Sequence, residues 1–366
     1  MTRSAAELRT CLVVGTGLIG TSVALALRRH GILVHLTDRD PAAAREAASM
    51  GAGTVDQPTE QVDLAVVAVT PSATAEVVAG LLASNVAATV VDTAAVKAGV
   101  LRDVAAVVGP TPHFVGTHPM AGRETSGPGS ARADLFEGRP WAVAADGADE
   151  RSLQRVHELL RLCGAVAVEM DAAAHDAAVA LVSHVPQVAA SLVAARLADG
   201  EDSVLALTGQ GLRDVTRIAA SDPDLWVDIL VANAEPVARI LTELRQDVDA
   251  VVHALHELAE DPEWARTSLR EVLVRGNAGR ARLPGKHGGR STAYASVPVV
   301  LADSPGELGR LFADVGAAGV NIEDIRIEHA TGQQVGLVEL SVAPSAREGL
   351  RAALERLGWV VHAEGA

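Results

Sequence analysis

A glycine-rich turn between two short apolar segments constrains this chain more than any other stretch. Gly15, Gly17 and Gly20 form the pattern G-x-G-x-x-G directly after the apolar residues 12–14. A segment with apolar side chains at helical spacing follows, and then a second apolar run that ends at Asp38, 18 residues after Gly20. Strand, tight turn, helix, strand and acid occur here in the order that a dinucleotide requires. The stretch therefore predicts a Rossmann-like nucleotide-binding unit.

The glycines and the start of the helix have separate roles in such a turn. Gly15 would permit the tight turn, Gly17 would let the backbone approach the pyrophosphate, and Gly20 would let helix and strand pack closely. The first helical residues, Leu18 and Ile19, would present free N–H groups to the phosphate charge. We expect all five residues to bind the cofactor.

The acid that closes the second strand indicates which cofactor is bound. Asp38 is expected to accept hydrogen bonds from the adenosine ribose hydroxyls, and its charge would repel a 2′-phosphate. Arg39 follows directly and would soften this preference. Thr70, which ends the third predicted strand, is expected to line the same site. The pattern predicts NAD.

Strand and helix signals alternate as far as about residue 170. The apolar runs lie at residues 12–14, 32–36, 62–69, 89–92, 113–118, 141–144 and 166–169. Such alternation is typical of a parallel, doubly wound α/β sheet, whose ligands bind beyond the carboxyl ends of the strands. The glycine turn, Thr70 and His118 all follow predicted strands at such positions.

The chain of 366 residues predicts two or three domains. Residues 1–170 form the expected dinucleotide-binding domain. Residues 171–275 have helical apolar spacing and predict an all-helical domain for substrate binding and dimerisation. Residues 276–294 are rich in Gly and Arg and predict a linker. Residues 295–366 follow the order βαββαβ, which predicts a small separate α+β domain.

Composition bounds the compartment and the partners. The net charge of −15 argues against nucleic acid or an anionic membrane as the main partner. Two cysteines, Cys11 and Cys163, indicate a reducing compartment without a disulfide framework. The first residues lack a signal pattern, and no apolar run is expected to reach the ~18 residues of a membrane span. We expect a soluble, cytoplasmic protein with a small-molecule substrate and no metal.

His118 follows the fifth predicted strand within the sequence THPMAG. A neutral imidazole at this edge could accept a proton beside a bound nicotinamide. A histidine at a strand end can equally be structural, so position alone leaves both readings open. The polar loop that follows, which includes Glu124, is suited to covering a site.

A second group of polar residues interrupts the first long helix of the helical segment. Asp171 is predicted to cap that helix, and Pro186 to kink it. Ser183 and Gln187 lie four residues apart and share a helix face, with His184 between them. Spacing alone is compatible with ligand contacts or with a buried helix whose polar groups are satisfied internally.

Two arginines four residues apart, Arg213 and Arg217, lie further along. Asp214 precedes Arg217 by three residues and is expected to hold it in place. Guanidinium is the preferred partner of a carboxylate, because it is planar and binds in a bidentate way. The alternative is a salt-bridged helix surface.

Taken together, these motifs resemble the prephenate/arogenate dehydrogenases of tyrosine biosynthesis over nearly the whole chain. The matching stretches are GTGLIG (15–20), THPMAG (117–122), LFEGRPW (135–141), SHVPQ (183–187) and RDVTRIAASDPDLW (213–226). The C-terminal stretches DSPGELGRL (303–311) and GVNIEDI (319–325) look like those of an ACT domain, a regulatory module that often binds amino acids.

The resemblance implies a role for each candidate residue. His118 matches the catalytic histidine, which accepts the proton of the ring hydroxyl, and Arg217 matches the arginine that grips the ring carboxylate. Ser183 and His184 match pocket residues, and Glu124 matches a gating acid. The implied reaction transfers hydride to NAD, followed by loss of carbon dioxide and aromatisation.

Two positions depart from the common family pattern. Ala95 stands where many members have a serine that hydrogen-bonds the catalytic histidine, so Thr93 or a backbone carbonyl is expected to orient His118 instead. Gln187 stands where prephenate-using members often carry histidine, so it bears on the choice between prephenate and arogenate.

The C-terminal domain is expected to make the enzyme responsive to tyrosine, the end product implied by the resemblance. Asp303 and Gly306 lie in a turn before a helix whose free N–H groups could meet an amino-acid carboxylate. Asn321 could add a polar contact. The alternative is a dimerisation module without a ligand.

We therefore predict an NAD-dependent prephenate dehydrogenase that forms a homodimer, with arogenate dehydrogenase as the alternative. A non-catalytic NAD-binding sensor governed by its ACT domain would lack His118 or Arg217, and both are present. A β-hydroxyacid dehydrogenase would use a helical lysine as its acid and base, and residues 171–275 contain no lysine.

Overall fold

A computed structural model describes residues 8–122, 127–283, 294–329 and 335–362. Residue contacts divide the chain into two compact units, Met1–Arg245 and Gln246–Ala366.

The first unit contains a seven-stranded sheet. Its strands are β1 (Thr10–Val14), β2 (Leu33–Thr37), β3 (Leu64–Val67), β4 (Val90–Asp92), β5 (Phe114–Pro119), β6 (Pro140–Ala144) and β7 (Val166–Met170). The helices between these strands are α1 (Leu18–Arg29), α2 (Pro41–Ser49), α3 (Pro71–Ser84), α4 (Ala98–Val108) and α5 (Glu150–Leu162). Each predicted strand is thus present, with ends that differ by a few residues.

The strand order is β2-β1-β3-β4-β5-β6-β7, and the first five strands in sequence pair in parallel. The order reverses between β1 and β3, which makes the carboxyl ends of these two strands the place where such a sheet binds its ligand. The Rossmann-like, doubly wound fold is confirmed.

The last two strands correct the prediction that the whole sheet is parallel. β6 pairs with β5 in antiparallel fashion, and β7 then pairs in parallel with β6. A parallel pair requires a crossover, usually an α-helix. The described residues between β5 and β6 contain only a short 3-10 turn, Pro128–Ser130, so the chain turns back instead.

Side chains of the sheet alternate between two apolar cores. Cys11 and Val13 of β1 pack with residues of α1 and α5 on one face, while Leu12 packs with residues of α3 and α4 on the other. A strand presents successive side chains to opposite faces, so a strand buried on both sides is apolar throughout. This explains why β1 and β3 are continuous apolar runs in the sequence.

The helical segment of the first unit follows β7. Its helices are α6 (Ala172–Val179), α7 (Val185–Ala195), α8 (Asp202–Leu205), α9 (Gln210–Thr216), α10 (Pro223–Ala232) and α11 (Ala234–His256), the last of which crosses into the second unit. Asp171 caps α6 by accepting a hydrogen bond from the N–H of Ala174 at 2.7 Å, as predicted.

The predicted kink at Pro186 takes the form of a π-helical turn, Ala180–His184, between α6 and α7. The N–H of Val185 donates to the carbonyl of Ala180, five residues back. Proline has no N–H to donate to the carbonyl four residues before it, so the regular ladder cannot continue there. Such π-bulges are frequent at functional sites.

This interrupted helix corrects the expectation about membrane spans. By length and composition, one helix among the described residues, Ala172–Ala195, could cross a membrane. Alanine and valine make it apolar, but it carries the buried polar residues His175, Asp176 and His184. Hydrogen bonds fix all three side chains within the unit.

The second unit contains a four-stranded antiparallel sheet with the order β11-β8-β10-β9. Its elements are α12 (Pro262–Arg280), β8 (Ala295–Ala302), α13 (Glu307–Ala317), β9 (Asp324–His329), β10 (Val335–Val342), α14 (Arg347–Arg356) and β11 (Val360–Val361). From β8 onward this is the predicted βαββαβ order. Its own core includes Val299, Leu311, Leu340 and Leu354.

The predicted linker at residues 276–294 begins too early. Helix α12 continues through Arg280, and the N–H of Ala281 still donates to the carbonyl of Asn277 at 3.0 Å. Backbone hydrogen bonds of a long helix here outweigh the cost of about 1 kcal/mol for each interior glycine. Residues 284–293 lie outside the described part of the chain.

Candidate active site

The glycine turn connects β1 to α1 at the reversal point of the sheet. Gly15 has φ +93°, and a Cβ there would lie 2.3 Å from the carbonyl oxygen of Ala68. A Cβ on Gly20 would lie 1.8 Å from the carbonyl oxygen of Gly15, so both positions require glycine. A Cβ on Gly17 would meet no atom of the described residues within 4 Å, so none of them fills that side of the turn.

This geometry fits a dinucleotide. Leu18 and Ile19 begin α1, and no side chain among the described residues caps the N–H groups of this helix end. Such N–H groups suit a pyrophosphate, and the open side of Gly17 leaves room for it. Thr70 immediately precedes α3 beyond the end of β3, with its Oγ1 3.3 Å from Oγ of Ser72.

Asp38 follows β2 and is tied to the glycine turn. Its Oδ2 accepts hydrogen bonds from the N–H of Thr16 at 2.6 Å and from Oγ1 of Thr16 at 2.9 Å. Its Oδ1 accepts from the N–H of Asp40 at 2.8 Å. A carboxylate offers about four acceptor positions, so about one remains for a ribose hydroxyl.

His118 lies near the end of β5, at the carboxyl edge of the sheet. Burial, followed by the proximity of His175, Lys97 and His184, holds the pKa of His118 well below 6.5. The imidazole is therefore neutral at pH 7 and can accept a proton.

Next to the strand that carries His118, a buried ion pair joins the end of β4 to the start of α4. The Lys97 ammonium contacts Oδ2 of Asp92, and both side chains are fully buried. Oδ1 of Asp92 accepts from the N–H of Thr117 at 3.0 Å, and Trp141 donates to Oγ1 of Thr117 at 3.0 Å. Burial lowers the pKa of Lys97, and the carboxylate of Asp92 opposes that shift. The network fixes the strand residue before His118.

His118 meets a second histidine from the helical segment. Its Nδ1 lies 3.0 Å from Nε2 of His175, and Nδ1 of His175 lies 2.8 Å from Oδ1 of Asp176. Thr93, one of the predicted partners of His118, instead directs its hydroxyl to the carbonyl of Val67 at 3.4 Å. The expectation that Thr93 or a backbone carbonyl orients His118 is therefore wrong, because α6 supplies a side chain that the segment around Ala95 does not.

The π-helical turn and α7 bring three of the predicted substrate residues together. His184 and Gln187 are buried, while Ser183 is partly exposed. Asn233 donates to Nδ1 of His184 at 3.0 Å, so Nε2 of the neutral ring carries the proton. Burial lowers the pKa of His184 to about 4, with His175 adding to the shift and Asp176 opposing it.

Arg217 begins the 3-10 turn Arg217–Ala220, which packs with α9 against α7. Asp214 accepts a hydrogen bond from Nε2 of Gln210 at 2.8 Å. The structure thus places Arg217 on an element next to the helix that carries Gln187. Glu124 lies outside the described residues.

The predicted regulatory residues belong to the second unit. Asp303 follows β8, and Gly306 has φ +94° and directly precedes α13. No side chain in the described part of the chain caps the first N–H groups of that helix. Asn321 donates to Oε1 of Glu323 at 2.7 Å. Their proposed ligand contacts stay a prediction.

Sequence reasoning missed the residues that support His118 and His184, which are Asp92, Lys97, His175, Asp176 and Asn233. One signal was available: His175 and Asp176 form a polar pair within the apolar run AAAHDAAVALV. Polar groups inside a buried helix require partners, so this pair marks a hydrogen-bonded site. The partner could not be named, because His118 is 57 residues away in sequence.

Comparison with known proteins agrees with this geometry. The family model for the prephenate dehydrogenase nucleotide-binding domain matches residues 23–169, and that for the dimerization domain matches residues 171–273. The chain is 42% identical to "Probable prephenate dehydrogenase NovF" of Streptomyces niveus over 96% of its own length and 99% of the relative's.

More distant relatives resemble this chain in sequence and in fold. The prephenate dehydrogenase of Bacillus subtilis is 26% identical, with 91% of each chain covered. The crystal structure of prephenate dehydrogenase from A. aeolicus in complex with hydroxyphenyl propionate and NAD+ matches with a TM-score of 0.63 and 26% identity. That match covers 74% of this chain and 98% of the other. The chain therefore belongs to the prephenate dehydrogenase family and is an NAD-dependent dehydrogenase of that family.

Proposed function

We propose that the enzyme converts prephenate to 4-hydroxyphenylpyruvate by oxidative decarboxylation, as the names of its relatives suggest. The observation that carries this proposal is the position of His118, a neutral imidazole at the carboxyl edge of the sheet that also holds the glycine turn. When bound, NAD accepts a hydride at C4 of the nicotinamide. The residues of the chain bind and orient the substrate and take up its proton.

His118 is the general base. It accepts the proton of the ring hydroxyl as hydride leaves the ring carbon that bears this hydroxyl. The resulting dienone loses carbon dioxide, and aromatisation makes the step irreversible. The neutral state of His118 supports this role, because a protonated ring could not accept.

The pocket residues bind the two carboxylates and the side chain of the substrate. Arg217 grips the ring carboxylate as a bidentate partner. Ser183, His184 and Gln187 contact the remaining polar groups, and Nε2–H of His184 can donate to a substrate oxygen. Asp214 holds Arg217 in place, and Glu124 gates the site.

The substrate assignment is tested by one matched assay. Reduced cofactor is followed spectroscopically with prephenate and with arogenate, each with NAD and with NADP. We expect the highest kcat/KM for prephenate with NAD. A higher kcat/KM for arogenate would make the enzyme an arogenate dehydrogenase, the alternative on which Gln187 bears, and no turnover of either would contradict the proposal.

A homodimer is the proposed assembly. The family model for the dimerization domain, which spans residues 171–273, supports this proposal and the domain boundary at residue 170. Large apolar side chains also stay exposed on the helical segment, including Leu192 on α7 and Val227 and Val231 on α10. Light scattering coupled to gel filtration should give twice the mass of the 37.7 kDa chain.

Residues 295–366 are proposed to form an ACT domain that binds tyrosine and inhibits the enzyme. The βαββαβ order and the uncapped start of α13 support a site near Asp303, Gly306 and Asn321. Calorimetric titration of tyrosine into the full chain and into the Asn321→Ala variant tests the site. Equal heats in both would remove Asn321 from it, and no heat would favour a dimerisation module without a ligand.

The protein is also proposed to be soluble and cytoplasmic. The negative net charge supports it, as do the hydrogen-bonded polar residues of the one span-length helix found among the described residues. Fractionation of cells that express the chain should leave activity in the soluble fraction.

A further inference from the structure

A histidine base that acts through Nε2 needs its proton on Nδ1. In the structure, a series of hydrogen bonds that begins at Nδ1 of His118 can hold the proton there. From His118, hydrogen bonds lead over 3.0 Å to His175 and over 2.8 Å to the carboxylate of Asp176. The two histidine rings meet edge to face, with centroids 5.2 Å apart. His175 is 1% and Asp176 is 5% exposed, so water does not compete with these bonds.

Asp176 is held as an anion. Its Oδ1 accepts from the N–H of Lys97 at 2.7 Å, and its Oδ2 accepts from the N–H of Ala98 at 2.9 Å. Burial would raise the pKa of Asp176, but the hydrogen bonds from His175, Lys97 and Ala98 outweigh it and hold that pKa below its ordinary value. The carboxylate can therefore only accept hydrogen bonds.

This acceptor sets the direction of the hydrogen bond from His175. Because Asp176 can only accept, Nδ1 of His175 donates, and a His175 ring that carries only this proton has a lone pair on Nε2. That lone pair accepts from Nδ1–H of His118. Nε2 of His118 then carries no proton and is free to act as the base.

We infer that His175 and Asp176 are positioning residues that hold His118 in the Nδ1–H tautomer and stabilise its cation during turnover. The inference rests on the proposed role of His118 as base. As the O–H bond of the substrate breaks and the Nε2–H bond forms, His118 becomes positively charged. Its Nδ1–H donates to Nε2 of His175, and the hydrogen bond from His175 to Asp176 makes that nitrogen a better acceptor. A carboxylate that is connected to the base by hydrogen bonds through a second ring stabilises the imidazolium in a buried site.

The other charged groups around His118 do not replace this pair. Lys97 is close enough to lower the pKa of His118, but its ammonium is paired with Asp92. His184 has its Nδ1 engaged by Asn233. Among the described residues, Asp176 is thus the acid that is linked to His118 through a hydrogen-bonded ring.

Two substitutions separate positioning from packing. His175→Leu removes both hydrogen bonds, whereas His175→Gln keeps a carbonyl oxygen that can accept from Nδ1–H of His118. We expect kcat of His175→Leu to fall by about 10- to 1,000-fold, while KM and NAD affinity change by less than about threefold. His175→Gln should recover at least about a tenfold part of that loss.

The pH profile gives a readout that packing would not move. The acid limb of kcat/KM should lie at lower pH in His175→Leu than in His175→Gln, because only the glutamine keeps an acceptor for the His118 cation and neither variant carries the second imidazole that lowers the pKa of His118. His113 offers a matched control, since its Nδ1 lies 2.8 Å from Asp149 in an exposed pair before the start of β5. His113→Leu should leave kcat and the profile unchanged.

The tautomer itself can be measured without turnover. In protein with 15N-labelled histidine, the His118 ring, assigned by comparison with His118→Asn, should carry its proton on Nδ1 in the wild type at pH 7.5. A proton on Nε2 would overturn the inference, even if prephenate proved not to be the substrate. The inference also fails if His175→Leu keeps kcat within about threefold, or if both variants lose activity equally with a parallel fall in Tm.

Discussion

At the scale of single residues, Asp38 links the glycine turn to cofactor choice. Three of its acceptor positions receive hydrogen bonds from Thr16 and Asp40. These bonds hold the carboxylate in place beside the expected ribose. We predict a higher kcat/KM with NAD than with NADP, and a ratio that moves toward NADP in Asp38→Ala, because a 2′-phosphate is no longer repelled. Steady-state rates with both cofactors check this, and equal efficiencies in the wild type would refute it.

Gln187 is the residue on which substrate choice is expected to depend. Its side chain is 6% exposed and makes no hydrogen bond to other described residues, so a substrate group can satisfy it. An amide can donate to the ketone of prephenate or accept from the ammonium of arogenate. We predict that Gln187→His shifts the ratio of kcat/KM values toward prephenate. An unchanged ratio would place specificity elsewhere.

Residue types and spacing predicted the individual groups better than their partners. Gly15, Gly20, Asp38 and His118 could be found because each occupies a fixed place relative to a strand end. The support of His118 could not, because His175 reaches it from a helix that is remote in sequence. Packing of α6 against α4 creates that contact, and no local pattern encodes it.

At the scale of elements, the glycine turn allows a test with a built-in control. A Cβ on Gly20 would overlap the carbonyl of Gly15, whereas one on Gly17 would meet no protein atom. We predict that Gly20→Ala lowers Tm and weakens NAD binding together, because helix and strand must separate. Gly17→Ala should keep its Tm but bind NAD more weakly, because the methyl group occupies the open side. Thermal unfolding and NAD titration distinguish them, and a stable Gly20→Ala variant would contradict the packing argument.

Elements with a strong local sequence signal were predicted well. Features that depend on chain connections or on distant partners were not. Continuous apolar runs located the strands because both faces of the sheet are buried. The antiparallel direction of β6 depends on the lack of a crossover helix among the described residues before it, and the π-helical turn depends on the partners that surround Pro186. Neither property is a matter of apolar periodicity.

At the scale of the whole molecule, buried histidines connect stability to pH. The pKa of His184 is lowered to about 4 and that of His118 lies well below 6.5, so unfolding exposes groups that bind protons more readily. The unfolded state therefore takes up more protons between about pH 4 and 6.5, and the free energy of unfolding decreases as pH falls through that window. We predict a Tm that is lower at pH 5 than at pH 7, and a shallower dependence in His184→Asn. An equally steep dependence in the variant would exclude His184 as a source.

The central claim is that His118 is the base of an NAD-dependent dehydrogenase, and His118→Asn tests it most directly. Asparagine fills similar space but cannot take a proton, and general-base catalysis contributes roughly 10²–10⁴-fold. Turnover of prephenate should fall by about that factor, while NAD affinity stays within about twofold and His113→Asn remains fully active. A His118→Asn enzyme that keeps more than about a tenth of wild-type turnover would show that another group accepts the proton.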